Sequence, residues 1–305
     1  MWLILAFLSA AMLGCYDSFK KQALKGNAVI PVLFLNTLFS SLIFLPFILL
    51  SSTTDVLDGT VFQTARGGWE MHKFIVLKAL IVLSSWILGY FGMKHLPLTI
   101  VGPINATRPV MVLVGALLVF GERLNMWQWI GVLLAVASFL MLSRSGKKEG
   151  IDFKHDHWIY MIVGAVALGA VSGLYDKFLM APVESGGVGL DRMMVQSWYN
   201  IYQCFMMGAM LMLLWWPKHE QTTPFHWSWS IVGVSVFLST ADFLYFYSLS
   251  MPDAMISIVS MVRRGSVIVS FMFGAMFFHE KNLKAKAVDL ALVLLGMLFL
   301  YIGSR

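Results

Sequence analysis

Apolar runs of about twenty residues recur along the whole chain, and each is long enough to cross a bilayer as a helix. Ten can be marked, near 2–19, 28–50, 74–93, 97–120, 125–142, 158–178, 192–215, 227–248, 253–278 and 284–302. The connections between them leave no room for a soluble domain. Charged residues make up 12% of the chain, against roughly 25% in soluble proteins, so lipid is the main solvent. The expected fold is an all-α integral membrane protein with ten transmembrane helices.

The first run starts at Trp2 without a basic leader and ends in "YDSFKKQALK" with no small-residue cleavage site, so it reads as a retained helix. Cys15 and Cys204 both fall inside apolar runs, which gives no disulfide framework. The net charge of +6 is scattered over short loops. It forms no stripe of the kind a phosphate backbone requires, so nucleic acid is not an expected partner. One face collects Lys20, Lys21, Lys25, Lys94, Arg144, Lys147, Lys148, Lys154, Lys218, Lys281, Lys284 and Lys286. The face of the termini holds Arg66, Lys73, Arg123, Lys177, Arg192 and Arg305. By the positive-inside rule this excess puts the termini outside.

Two stretches repeat. "GCYDSF" (14–19) matches "GLYDKF" (173–178) at four of six positions, and "GALLVFGERLN" (115–125) resembles "GAMFFHEKNL" (274–283). Each pair falls at the same place in two five-helix units, residues 1–143 and 158–305, joined by the linker "RSGKKEGIDFKHDH" (144–157). An odd number of spans per unit inserts the second copy upside down. Inverted repeats of this kind are a transporter signature.

Three features carry a family resemblance: the ten-run layout, the "RP" at 108–109, and "FGERLNMWQWIGVLLAVASFLML" closing the first unit, echoed by "FFHEKNLKAKAVDLALVLLGMLFLYI". In these the chain resembles the EamA group of the drug/metabolite transporter superfamily. The resemblance implies ten helices, with the first four of each unit around a central cavity and the fifth on the periphery. It implies cytoplasmic termini, opposite to the charge count. It also implies export of amino acids, metabolites, nucleotide-linked sugars or drugs. Many members carry an arginine early in the second helix, where this chain has Asn36 in "FLNTLFSS".

The candidate site follows from polar groups inside apolar runs. Arg108 sits near the middle of its run, between Pro103 and Pro109. A cation at the midplane costs about 2.5–3.5 kcal/mol unless it faces the bundle interior. Arg263 and Arg264 answer it in the second unit. Such a pair of sites grips a carboxylate or phosphate through parallel hydrogen bonds, or else pairs internally, with Asp242 as the partner at hand. Gln196, Tyr199, Asn200 and Gln203 follow i, i+3, i+4, i+7 spacing and share one helical face. That face turns inward to a wet cavity or to neighbouring helices. Asn36 and Ser40 give the second run a shorter stripe, Ser84, Ser85 and Trp86 interrupt the third, and Asn105 and Tyr245 complete the set.

Other polar residues read as structural. Glu122 and Glu280 pin loops. Asp17 and Asp176 pair at the interface with their neighbours Lys20, Lys21 and Lys177, and Asp289 pairs with Lys286. The methionines fill gaps in the core, and the loop 51–73 forms a short surface helix.

There is no Walker-type phosphate loop, which leaves proton exchange or facilitated exchange to drive a transporter. There is also no HExxH and no Gly-x-Ser-x-Gly, so an enzyme is not expected. The reading is an inner (plasma) membrane, multi-pass permease working by alternating access, with no cofactor and no metal. Its partners are membrane lipids and a small polar substrate, anionic or zwitterionic, such as an amino acid. A homodimer stays open. The alternatives are a flippase for a lipid-linked phosphate or sugar, or an accessory membrane subunit. The expected substrate contacts are Arg108, Arg264, Arg263, Asn36, Asn105, Trp86, Gln196, Tyr199, Asn200, Gln203, Asp242 and Tyr245.

Overall fold

The computed structural model describes residues 2–108, 110–112, 125–127, 129–131, 133–134, 137–138, 141, 154–249, 251, 259, 262–263, 265–277 and 283–303. Among these the regular structure is helical. The helices are α1 (Trp2–Leu24), α2 (Val29–Thr53), α3 (Trp69–His95), α4 (Leu98–Ala106), α5 (His157–Met180), α6 (Arg192–Met210), α7 (Trp229–Leu249), α8 (Ser266–Phe277) and α9 (Leu283–Gly303). Five of them, α1, α2, α3, α5 and α7, are long and apolar enough to cross a membrane. The outer surface agrees: Phe7, Phe205, Leu213 and Phe277 are all exposed, Leu213 by 74%.

Local chemistry sets the helix ends. Asp191 caps α6, its carboxylate accepting from the Met194 N–H at 2.8 Å. Leu96 stops α3 in an extended conformation, as the residue before a proline prefers. Ser84 and Ser85 do not interrupt α3. Their hydroxyls donate to the Leu80 and Ala165 carbonyls at 2.9 and 2.7 Å, so the helix continues with its polar groups satisfied. The loop after α2 is a run of turns rather than a short helix. Gly59 takes a positive φ of 71° there, and the loop is held from outside. The Phe62 ring stacks between Phe47 and Phe243 at 5.2 and 5.3 Å, and Arg192 donates to the Val61 carbonyl at 3.1 Å.

The long helices pack across the chain rather than within neighbours. α1 runs antiparallel along α7: Ser248 donates to the Trp2 carbonyl at 2.9 Å, Ser9 to the Ala241 carbonyl at 2.6 Å, and Phe19 lies on Phe237 at 5.1 Å. α3 runs antiparallel along α5, from His95 stacked on Trp158 at 3.5 Å to Tyr175 donating to the Phe74 carbonyl at 3.2 Å. This approach is close because Gly92 has no side chain. A Cβ there would stand 2.5 Å from Ile162, which shows a small residue admitting the facing helix. α2 runs antiparallel along α6, where Ser41 donates to the Asn200 carbonyl at 2.8 Å. The first helix of each end of the chain therefore packs on the third helix of the other.

Candidate functional site: a charged central cavity

These crossed pairs enclose a cavity of about 160 Å³ between the N-terminal helices α1, α3 and α4 and the C-terminal helices α5 to α8. Its wall carries three carboxylates, Asp17, Asp176 and Asp242. A buried charge in lipid must be paired, or it costs several kcal/mol. Each of the three is paired.

Asp176 of α5 accepts from Lys78 of α3, their side chains only 9% and 3% exposed. The Lys78 ammonium also lies 5.1 Å from the Tyr199 ring and 5.3 Å from that of Phe246, a cation–π arrangement that strengthens when water is excluded. Asp17 pairs with Lys20 one turn along α1 at 3.0 Å and accepts from the Ser270 hydroxyl at 3.2 Å. Lys20 in turn lies 4.3 Å from the Tyr16 ring and 5.2 Å from Tyr90. Asp242 of α7 accepts from Arg263 and, at 2.9 Å, from the Tyr199 hydroxyl. The Arg263 guanidinium sits 4.2 Å over Tyr245.

Arg108 differs. It follows the end of α4, past the turn at Thr107, and its guanidinium donates to the backbone carbonyl of Gly169 in α5. A Cβ at position 169 would stand 2.7 Å from the Arg108 Cζ, so the glycine is what lets the guanidinium lie on the helix backbone. Among the described residues no carboxylate pairs with it. The described wall thus holds four cations, Lys20, Lys78, Arg108 and Arg263, against three carboxylates. One positive charge remains, and it sits on Arg108.

Of the residues singled out in the sequence, Trp86, Asn105, Arg108, Tyr199, Asp242, Tyr245 and Arg263 lie in this wall. Arg264 lies outside the described residues, as do Pro109, Glu122, Glu280 and the linker up to 153. The Asp289 side chain is likewise outside them. Asn36, Gln196, Asn200 and Gln203 are buried elsewhere, which corrects the expectation that they line the cavity. They form a seam between α2, α6 and α7. Gln196 donates to the Ser239 carbonyl at 3.3 Å, Ser235 to the Asn36 carbonyl at 3.2 Å, and Ser239 to the Ser40 hydroxyl at 3.3 Å. The stripe on α6 is wide enough to be split by two neighbours. Tyr199 faces Asp242, the Gln196 amide reaches the middle of α7 at Ser239, and the Asn200 amide turns back to the Gln196 carbonyl of its own helix. In the seam both amide atoms of Asn36 and of Gln203 have no hydrogen-bond partner among the described residues.

Asp176 is a second correction, since it is buried in the cavity wall and pairs with Lys78 in the interior; the Lys177 side chain lies outside the described residues. Lys78 itself was not picked out. Its signal was available: a lone lysine within an apolar run is by default a site residue. Lys20, Tyr16 and Tyr90 join the wall beside Asp17, the other aspartate read as interfacial: Lys20 pairs with Asp17 and lies near both rings.

The fold and cavity define a multi-pass helical membrane protein with a polar interior. Residues 1–144 match the EamA-like transporter family, which bears out over that part of the chain the resemblance to the drug/metabolite transporter superfamily. No curated protein matches the chain. A solved structure, described only as the crystal structure of a protein, superposes with a TM-score of 0.67 over 99% of this chain and 97% of its own. At 12% identity that likeness is one of fold, and it extends the shared architecture to the C-terminal helices.

Proposed function

We propose that the protein is a secondary transporter of the inner (plasma) membrane, carrying a small polar metabolite with an anionic or zwitterionic group by alternating access. The observation that carries this reading is the cavity between the N- and C-terminal helices, where among the described residues one positive charge, at Arg108, has no matching carboxylate. A guanidinium resting on a backbone carbonyl is held in place yet keeps donors for a second acceptor. The crossed antiparallel packing of α1 on α7 and α3 on α5 is what two inverted five-helix repeats would produce. The aspartates of the repeated "YD", Asp17 and Asp176, both reach the cavity. Rocking one repeat against the other would open this site to each face in turn.

The test is counterflow in proteoliposomes preloaded with mixed organic anions and zwitterions. We expect at least one labelled solute to exchange above empty liposomes, and Arg108→Met to abolish the exchange while the protein stays monodisperse. If no solute exchanges, the transporter reading fails. Scrambling of a fluorescent anionic lipid in the same vesicles would then favour a flippase.

A further inference from the structure

The wall chemistry narrows the substrate class. We infer that the cavity selects a monoanion with a flat, single-ring apolar body, and that it discriminates against the zwitterion of the same shape. This rests on the reading of the cavity as the substrate site.

Two balances carry the inference. The first is charge. With Asp17, Asp176 and Asp242 each engaged by a cation, the described wall is one unit positive. One carboxylate on the ligand neutralises it, whereas a dianion leaves an unmatched negative charge in a low-dielectric site. A zwitterion brings an ammonium as well, and an ammonium needs a carboxylate. None of the three is open to it without breaking a pair already made. A ligand group left buried and unpaired is penalised far more than a merely absent contact.

The second balance is aromatic. Ring faces are the other place for an ammonium, and most of those in the wall already hold a protein cation. Lys20 lies over Tyr16, Lys78 over Tyr199, and Arg263 over Tyr245. Trp86 is the remaining indole of the described wall. It stands on α3, and Val82, Val166 and Leu238 also line the cavity, so the described wall offers apolar groups to an uncharged ring. The volume of about 160 Å³ is close to the roughly 150 Å³ of an apolar cavity known to accept benzene.

Phenylpyruvate and phenylalanine form a matched pair of probes, since they differ by a keto group against an ammonium. The experiment measures their binding to the purified full chain in detergent by calorimetry, beside pyruvate (no ring) and phthalate (two carboxylates). Phenylpyruvate is expected to bind at least about tenfold more tightly than each of the other three, a difference of about 1.4 kcal/mol. Arg108→Met should abolish its binding. Arg108→Lys keeps the charge, so it should weaken binding and keep the ranking. Ser172→Asp, a small change in the cavity wall that cancels the net charge, should also abolish it and guards against a misfolded arginine variant.

Phenylalanine binding as well as phenylpyruvate would overturn the inference, as would tighter binding of phthalate or of pyruvate. So would phenylpyruvate binding that survives both Arg108→Met and Ser172→Asp, or no binding by any probe. Counterflow with the same solutes separates the two claims. Ranked binding without exchange keeps the inference and sinks the transporter. Exchange of a zwitterion in preference to the anion does the reverse.

Discussion

The cavity and the α2–α6–α7 seam both bury polar side chains in the middle of a membrane protein, and they differ in how carboxylates and amides are met. In the cavity each of Asp17, Asp176 and Asp242 has a cationic partner, and three of the four cations lie over aromatic rings. In the seam Asn36 and Gln203 leave both amide atoms unmet, and Gln196 leaves its carbonyl oxygen. The difference follows from magnitudes. An unpaired buried amide costs a few kcal/mol, while an unpaired buried charge costs far more. A helical bundle can tolerate orphan amides where it cannot tolerate orphan charges. An amide stripe is therefore weaker evidence of a binding site than a charge whose partner is missing, and in the described wall that charge is Arg108.

Four substitutions test whether the cavity charges and the seam amides differ in this way. The largest effect is on Arg108→Met, which should remove anion binding altogether, read by calorimetry, with little change in thermal stability. A large loss of stability would mean the guanidinium serves the fold. Next is Lys78→Met, which strands the buried Asp176 and should destabilise by about 3–5 kcal/mol, read by denaturation in mixed micelles. The double variant Lys78→Met/Asp176→Asn should recover most of that loss, and equal losses in single and double variants would contradict the pairing.

Gly169→Ala comes third. Its Cβ would push on the end of the Arg108 side chain, which can shift. Anion affinity should fall by roughly tenfold, about 1.4 kcal/mol, with the fold intact. Unchanged affinity would show that the carbonyl contact does not position the guanidinium. The smallest effect is in the seam. Gln203→Leu removes two orphan atoms and should be neutral or stabilising within about 1 kcal/mol. Clear destabilisation would show that these amides do find partners.

Much of the architecture was legible because apolar runs of membrane length are an unambiguous signal, and α1, α2, α3, α5 and α7 fall where those runs lie. Arg108 and the Arg263–Asp242 pair were legible for the same reason, as a charge inside such a run needs a stated use. The Lys78–Asp176 pair was not. It depends on the register of α3 against α5, and sequence proximity pointed Asp176 toward its neighbours instead. The α6 stripe was half legible: a period of 3.6 says which residues share a face but not that α2 and α7 divide it.

A transporter's cavity must open to both faces of the membrane. Ser172 lies in its wall, and Cys15 and Cys204 can be replaced by serine. The deciding measurement is labelling of Ser172→Cys by a membrane-impermeant thiol reagent, applied to right-side-out vesicles and separately to inside-out vesicles. Reaction is expected in both preparations, since a transport cavity meets each face in turn. Reaction in one preparation only would make this a one-sided pocket and contradict the claim that the protein carries its ligand across.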